Sequence, residues 1–228
     1  HTFNQDIGNW NVSNVEDFSD MFHINHSFNQ DIGNWDVSSV VSMQWMFDDA
    51  IAFNQNIGNW DVDSVMFFNR MFKNATSFNQ DIGAWDISGA INVSSMFEDA
   101  TSFNQDVSGW QFGSVFGSLS STSGMFKGAS SFDQDLGAWE IQGLSSMYQM
   151  LYNTGLSTTN YDNTLIAWEA KPHPFGIDLQ PNGLTYCLAD SARIRLTQRG
   201  WAFFGDSKDC LTVGLGSIEK TCSSLQVY

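Results

Sequence analysis

Basic side chains are scarce in this sequence: 9 Lys and Arg stand against 25 Asp and Glu, for a formal charge of −16. Nucleic acid and anionic membrane are therefore poor partners. No apolar run approaches the length of a spanning helix, which argues against direct membrane insertion. Catalytic signatures are missing as well. There is no glycine-rich phosphate loop, nucleophile elbow or zinc-spaced His/Cys cluster, and His23 and His26 lack the cysteine or carboxylate spacing of a metal site. The chain is read as non-catalytic, with no cofactor implied. Cysteine numbers only three.

What the sequence does have is a repeat. A phenylalanine is followed seven residues later by a tryptophan at Phe3/Trp10, Phe28/Trp35, Phe53/Trp60, Phe78/Trp85, Phe103/Trp110 and Phe132/Trp139. Successive phenylalanines are 25 residues apart four times, and the fifth gap is 29 because of an insertion near Gly117 to Ser120. The fold class that follows is an α/β repeat: a solenoid of six stacked coils over residues 1–156. In the second unit Trp35 and Val37 alternate with polar neighbours, the period of a strand. From Val40 the spacing changes to threes and fours, through Met43, Met46, Phe47 and Ala50, as on one side of a short helix. Ser38 and its equivalents Ser13, Asp63 and Ser88 suit helix N-caps, and Ser13 with Glu16 forms a capping box. Each unit is expected to contain a strand, a short helix and a return loop, with the strands in one parallel sheet and the aromatic columns as core. The recurrent Asn-Gln of the loop is expected to form a side-chain amide ladder.

The pattern carried by Met46-Phe47, Ala50, Phe53 to Ile57 and Trp60-Asp61-Val62, and by matching positions elsewhere, resembles the BspA-like leucine-rich-repeat surface proteins. That resemblance spans residues 1 to about 156 and departs from the pattern at Gln111, Phe112 and Met150-Leu151. It implies a right-handed leucine-rich-repeat-like fold in an exported bacterial protein, used for adhesion or protein contacts at the cell surface. A ligand does not transfer with a repeat motif.

After Thr154 the periodicity stops. Residues 157–211 read as a small α/β C-terminal cap, with helices over Asn160 to Glu169 and about Leu188 to Arg199 and a strand over Trp201 to Phe204. Such a segment also follows the repeats in many bacterial members of the family. Cys187 and Cys210 flank the second cap helix and the strand and are expected to pair, leaving Cys222 over. Residues 212–228 read as a linker. Leu225-Gln226-Val227-Tyr228 resembles the lead-in to the sorting tail of type IX secretion cargo, and Asp63-Ser64-Val65 and Asp190-Ser191-Ala192 resemble O-glycan acceptors of such proteins. The chain enters its first repeat two residues after His1, so preceding chain or another protein is expected to cover the first unit.

Charge divides the chain unevenly. Residues 1–156 hold 18 acidic and 3 basic side chains, while the remainder holds 7 and 6. Two columns concentrate the acid. Outward residues between the inward Trp and Val give Asn11, Asp36, Asp61, Asp86, Gln111 and Glu140, and the loop before them gives Asp6, Asp31, Asn56, Asp81, Asp106 and Asp135. These acids recur in every unit, unlike the two differentiated carboxylates of a glycosidase. They are either a solvated face whose carboxylates accept backbone N–H bonds, or a site for calcium or a basic partner. The strand column is the expected binding site, for a basic or cation-bridged protein, with an outer-membrane complex as the expected setting. The alternative is a structural subunit held permanently in a surface assembly such as secretion or gliding-motility machinery.

Overall fold

A computed structural model describes residues 2–112 and 120–211. Its regular secondary structure, among these residues, is two helices and four very short strands: β1 (Ser120–Ser121), β2 (Leu144–Ser146), α1 (Thr158–Ala170), β3 (Thr185–Tyr186), α2 (Asp190–Gln198) and β4 (Ser207–Lys208). β1 pairs with β2 and β3 with β4, each as a two-stranded parallel sheet. The expected leucine-rich-repeat-like α/β solenoid of six coils around a parallel sheet is therefore corrected. The repeats are built from turns and loops, and residues 2–112 contain no helix or strand.

The backbone shows why. In the second unit the N–H groups of Met43, Trp45, Phe47 and Asp49 donate to the carbonyls of Phe67, Asn69, Met71 and Lys73, at 2.8–3.1 Å. The intervening N–H groups of Met46, Asp48 and Ala50 close four-residue turns onto Met43, Trp45 and Phe47, at 3.0–3.2 Å. Bonding therefore alternates between the unit itself and its neighbour, whereas an α-helix needs every N–H for its own i−4 carbonyl. Two left-handed residues per unit enforce this, Trp45 (φ 60°) and Asp49 (φ 59°), with counterparts Arg70 and Asn74, Ser95 and Asp99, Gly124 and Gly128. A helix cannot continue through such positions. Single parallel bridges run Asp17–Ser42–Phe67–Asn92–Ser121, and β1 and β2 continue them. Pairing thus lies in the segment expected to be helical, and Trp35 to Val37, expected to be strand, is not one.

The expected inward positions are nevertheless buried. Trp35, Val37, Val40, Met43, Met46, Phe47 and Ala50 expose at most 4 % each. Phe28, Phe53, Phe78, Phe103 and Phe132 lie over one another at 6.0–6.1 Å between ring centroids, with their planes nearly parallel. A second row, Phe22, Phe47, Phe72, Phe97 and Phe126, stacks at 5.4–5.6 Å. Offset stacks of this kind add to the free energy of burial. Every buried indole also has its N–H satisfied: Trp35, Trp60, Trp85, Trp110 and Trp139 donate to Ile7, Ile32, Ile57, Ile82 and Val107 carbonyls.

The amide ladder is present. Asn54 Oδ1 accepts from the Asn79 backbone N–H at 2.9 Å and from Gln80 Nε2 at 2.8 Å, and Asn4, Asn29, Asn79 and Asn104 repeat the pattern. Its last member is Asp133, whose Oδ1 accepts from the N–H of Ser157, the N-cap of α1. α1 extends the tryptophan column too, since Trp168 donates to the Leu136 carbonyl at 3.0 Å. The repeats thus set the position of the first helix.

Beyond it, polar contacts are individual. The buried carboxylate of Asp162 accepts backbone N–H bonds from Cys187, Leu188 and Ala189, which ties α1 to the start of α2. Arg193 forks onto Asp206 at 2.7 and 2.9 Å, and buried Tyr161 donates to the same carboxylate. Arg195 forks onto Glu169, joining the two helices. Cys187 and Cys210 form a disulfide, as expected. The strand expected at Trp201 to Phe204 is reduced to one bridge between Ala202 and Asp178, and the true strand is β4. The linker reading of 212–228, Cys222 and most of the insertion near Gly117 fall outside the described residues.

Candidate functional site

Asn11, Asp36, Asp61, Asp86, Gln111 and Glu140 are all exposed, each beside a buried tryptophan or, for Asn11, the exposed Trp10. They sit on the turns rather than on strands. The reason is local: Asp36 Oδ1 accepts from Ser38 N–H at 3.2 Å and Ser38 Oγ at 2.6 Å, Asp86 accepts from Ser88 N–H, and Asp61 from Asp63 N–H. Asn11 makes the same two contacts with Ser13. The residues expected as N-caps are therefore partners in side-chain-closed turns, a competing use of the same polar groups.

These turns alter the acids unequally. Hydrogen bonds from Ser38 and Ser88 hold Asp36 and Asp86 below the ordinary carboxylate range. Asp63 is pushed up, by loss of solvent first and then by the neighbouring charges of Asp61 and Asp86. Asp63 thus lies in the field of both Asp61 and Asp86. Glu140 differs, because Lys171, just past α1, reaches it at 3.1 Å. Among the described residues Asp36, Asp61 and Asp86 of this column, and Asp63 beside them, have no cation within reach.

The loop column has a structural task. Asp6, Asp31, Asn56, Asp81, Asp106 and Asp135 each accept the N–H two residues on, from Gly8, Gly33, Gly58, Gly83, Ser108 and Gly137. Four of those glycines are dictated by space: a Cβ on Gly8, Gly33, Gly58 or Gly83 would collide with the carbonyl of Asp31, Asn56, Asp81 or Asp106 in the next repeat.

A third column was not foreseen from the sequence. His23, Asp48, Lys73, Glu98 and Lys127 occupy equivalent places, so basic and acidic groups alternate from one repeat to the next. Glu98 accepts from Lys73 and Lys127, both at 3.1 Å. Burial pushes its carboxyl up, but hydrogen bonds from Ser95, Lys127 and Lys73 outweigh this and hold it below the usual range. Arg70, stacked on Trp45 at 4.5 Å, contacts buried Asp48 at 2.8 Å. The visible signal was the change of sign at 25-residue spacing. All three basic residues of 1–156 are thereby engaged on this edge, away from Asp36, Asp61 and Asp86.

Among the described residues no helix is long and apolar enough to cross a membrane. No curated protein and no solved structure matches the chain. A family described as "Mycoplasma protein of unknown function, DUF285" matches residues 1–110 and, in a second overlapping stretch, 91–172, which spans the repeats and α1. With well over half its length matched, the chain belongs to that family.

Proposed function

We propose that this protein is a non-catalytic interaction module at a bacterial cell surface, and that a basic partner protein, or a divalent cation bridging to one, docks on the edge carrying Asp36, Asp61, Asp63 and Asp86. The supporting observation is the distribution of countercharge. Lys73 and Lys127 pair with Glu98 and Arg70 stands beside Asp48 on another edge, while among the described residues the turn-edge aspartates have no basic neighbour. An exposed array of like charges raises the energy of the free protein until solvent ions or a partner screen it. Export is part of this reading, and the Cys187–Cys210 disulfide supports it, since such bonds persist in oxidising compartments.

Asparagine at these positions keeps the turn, as Asn11 does. Changing Asp36, Asp61 and Asp86 together to asparagine should leave folding intact and abolish capture of the native partner. Wild-type binding should weaken with ionic strength. Unchanged affinity and salt dependence in the triple variant would mean the edge is only solvated.

The alternative is a permanently bound structural subunit. Purification from the native membrane separates the readings: a fixed-stoichiometry complex unaffected by the triple variant would favour the subunit.

A further inference from the structure

We propose that His23, Asp48 and Asp49 form a binding site for a divalent cation of the zinc class. One ligand atom from each lies within 4.8 Å of the others, a spacing that a single ion can bridge. The site joins two repeats: His23 comes from the first, and Asp48 and Asp49 from the second. The Ile24 N–H bond to the Asp48 carbonyl at 2.8 Å fixes the two segments against each other.

A second, independent observation points to a ligand. Asp48 is 0 % exposed, yet neither carboxylate oxygen accepts a hydrogen bond among the described residues. Arg70 does not remedy this. Its Nη2 stands 2.8 Å from Asp48 Oδ2 as an ion contact without hydrogen-bond geometry, its guanidinium lies over Trp45, and its own buried Nε is also left without an acceptor. Asp48 Oδ1 is thus a buried anionic ligand atom with no partner, a costly arrangement that a cation would relieve.

The surrounding charge agrees. Asp20 Oδ1 lies 3.3 Å from His23 Nδ1, the carboxylate-to-imidazole contact that orients ligating histidines. Asp20, Asp48 and Asp49 outnumber the nearby Arg70, and Lys73 is engaged by Glu98. One imidazole nitrogen and two carboxylates leave a fourth position open and suit zinc or a similar first-row ion. Calcium, which needs six or more oxygens, is poorly served. This site is separate from the acidic turn edge and does not depend on it.

Titration of the whole chain with zinc alone, followed by calorimetry and by the melting temperature, tests the assignment. One zinc per chain is expected, with a rise in melting temperature that calcium does not reproduce. His23→Gln and Asp49→Asn, both at partly exposed positions, should each weaken binding at least about tenfold, given that even outer-shell changes cost that much. His1→Gln and His26→Gln should leave it unchanged. Failure to bind zinc at micromolar concentration, full affinity in His23→Gln, displacement by calcium, or loss of binding in His1→Gln or His26→Gln would each overturn the proposal. Circular dichroism of every variant separates lost folding from lost binding.

Discussion

The repeats and the C-terminal region solve the same problem, satisfying buried polar groups, in opposite ways. In the repeats the buried indoles, the ladder amides and alternate turn N–H groups find their partners in the neighbouring unit, by the same contact repeated every 25 to 29 residues. In the C-terminal region Asp162, Asp206 and the disulfide each act once, and no copy stands in reserve. Stability should therefore be shared between neighbours in the first case and concentrated in the second.

The sharpest way to break that contrast is to delete Trp60. Its side chain is 4 % exposed, its N–H bonds the Ile32 carbonyl, and its ring stacks on Trp85 at 6.5 Å. Trp60→Ala should cost about 3 to 5 kcal/mol, and hydrogen exchange should quicken in the flanking repeats as well. Protection lost only within residues 53–77 would show that the units are independent. Asp61→Ala, on the exposed side, should cost far less, and equal losses would reverse the assignment of faces.

Next in size is the disulfide. Replacing Cys187 and Cys210 by serine opens a bridge of 23-residue separation and should cost about 2 to 4 kcal/mol. Faster exchange should stay within β3, α2 and β4, leaving the amide ladder protected. Loosening that reached the third repeat would contradict a locally held C-terminal region.

The smallest effect is in pH. Glu98 is held below its ordinary pKa, so its contribution is present above the unfolded value near 4.5 and disappears as pH falls through the lower folded value. The stability gap between wild type and Glu98→Gln should be roughly 1 kcal/mol at pH 6, the scale of a partly screened ion pair. Urea midpoints of the two proteins should converge toward pH 3. A gap that stayed constant would mean that the Lys73 and Lys127 contacts contribute nothing.

Spacing in the sequence identified which side chains face inward, because burial follows from the repeat whatever the backbone does: Val40, Met43, Met46, Phe47 and Ala50 are buried as expected. It misidentified the backbone. Spacing by threes and fours is shared by a helix and by linked four-residue turns, and only the left-handed positions separate them. A trace of those positions was available in Gly124 and Gly128, and in Asp49, Asn74 and Asp99, residue types that tolerate positive φ. The amide ladder and the disulfide were legible because each needs only a recurrent donor–acceptor pair or two cysteines flanking one segment. The His23–Asp48–Asp49 cluster was not, since it forms only when one repeat settles against the next.

The alternating column has a consequence for how such a chain can change length. Duplicating the single repeat that carries Asp48 would set two buried carboxylates about 4.8 Å apart, the spacing of hydrogen-bonded neighbours, with their cations displaced by one place. Duplicating two adjacent repeats would copy one acid together with one base and leave every contact on this edge intact. The array therefore has a parity: growth or loss by pairs is electrostatically neutral, and any odd step must be accompanied by a substitution at this one position in the repeat.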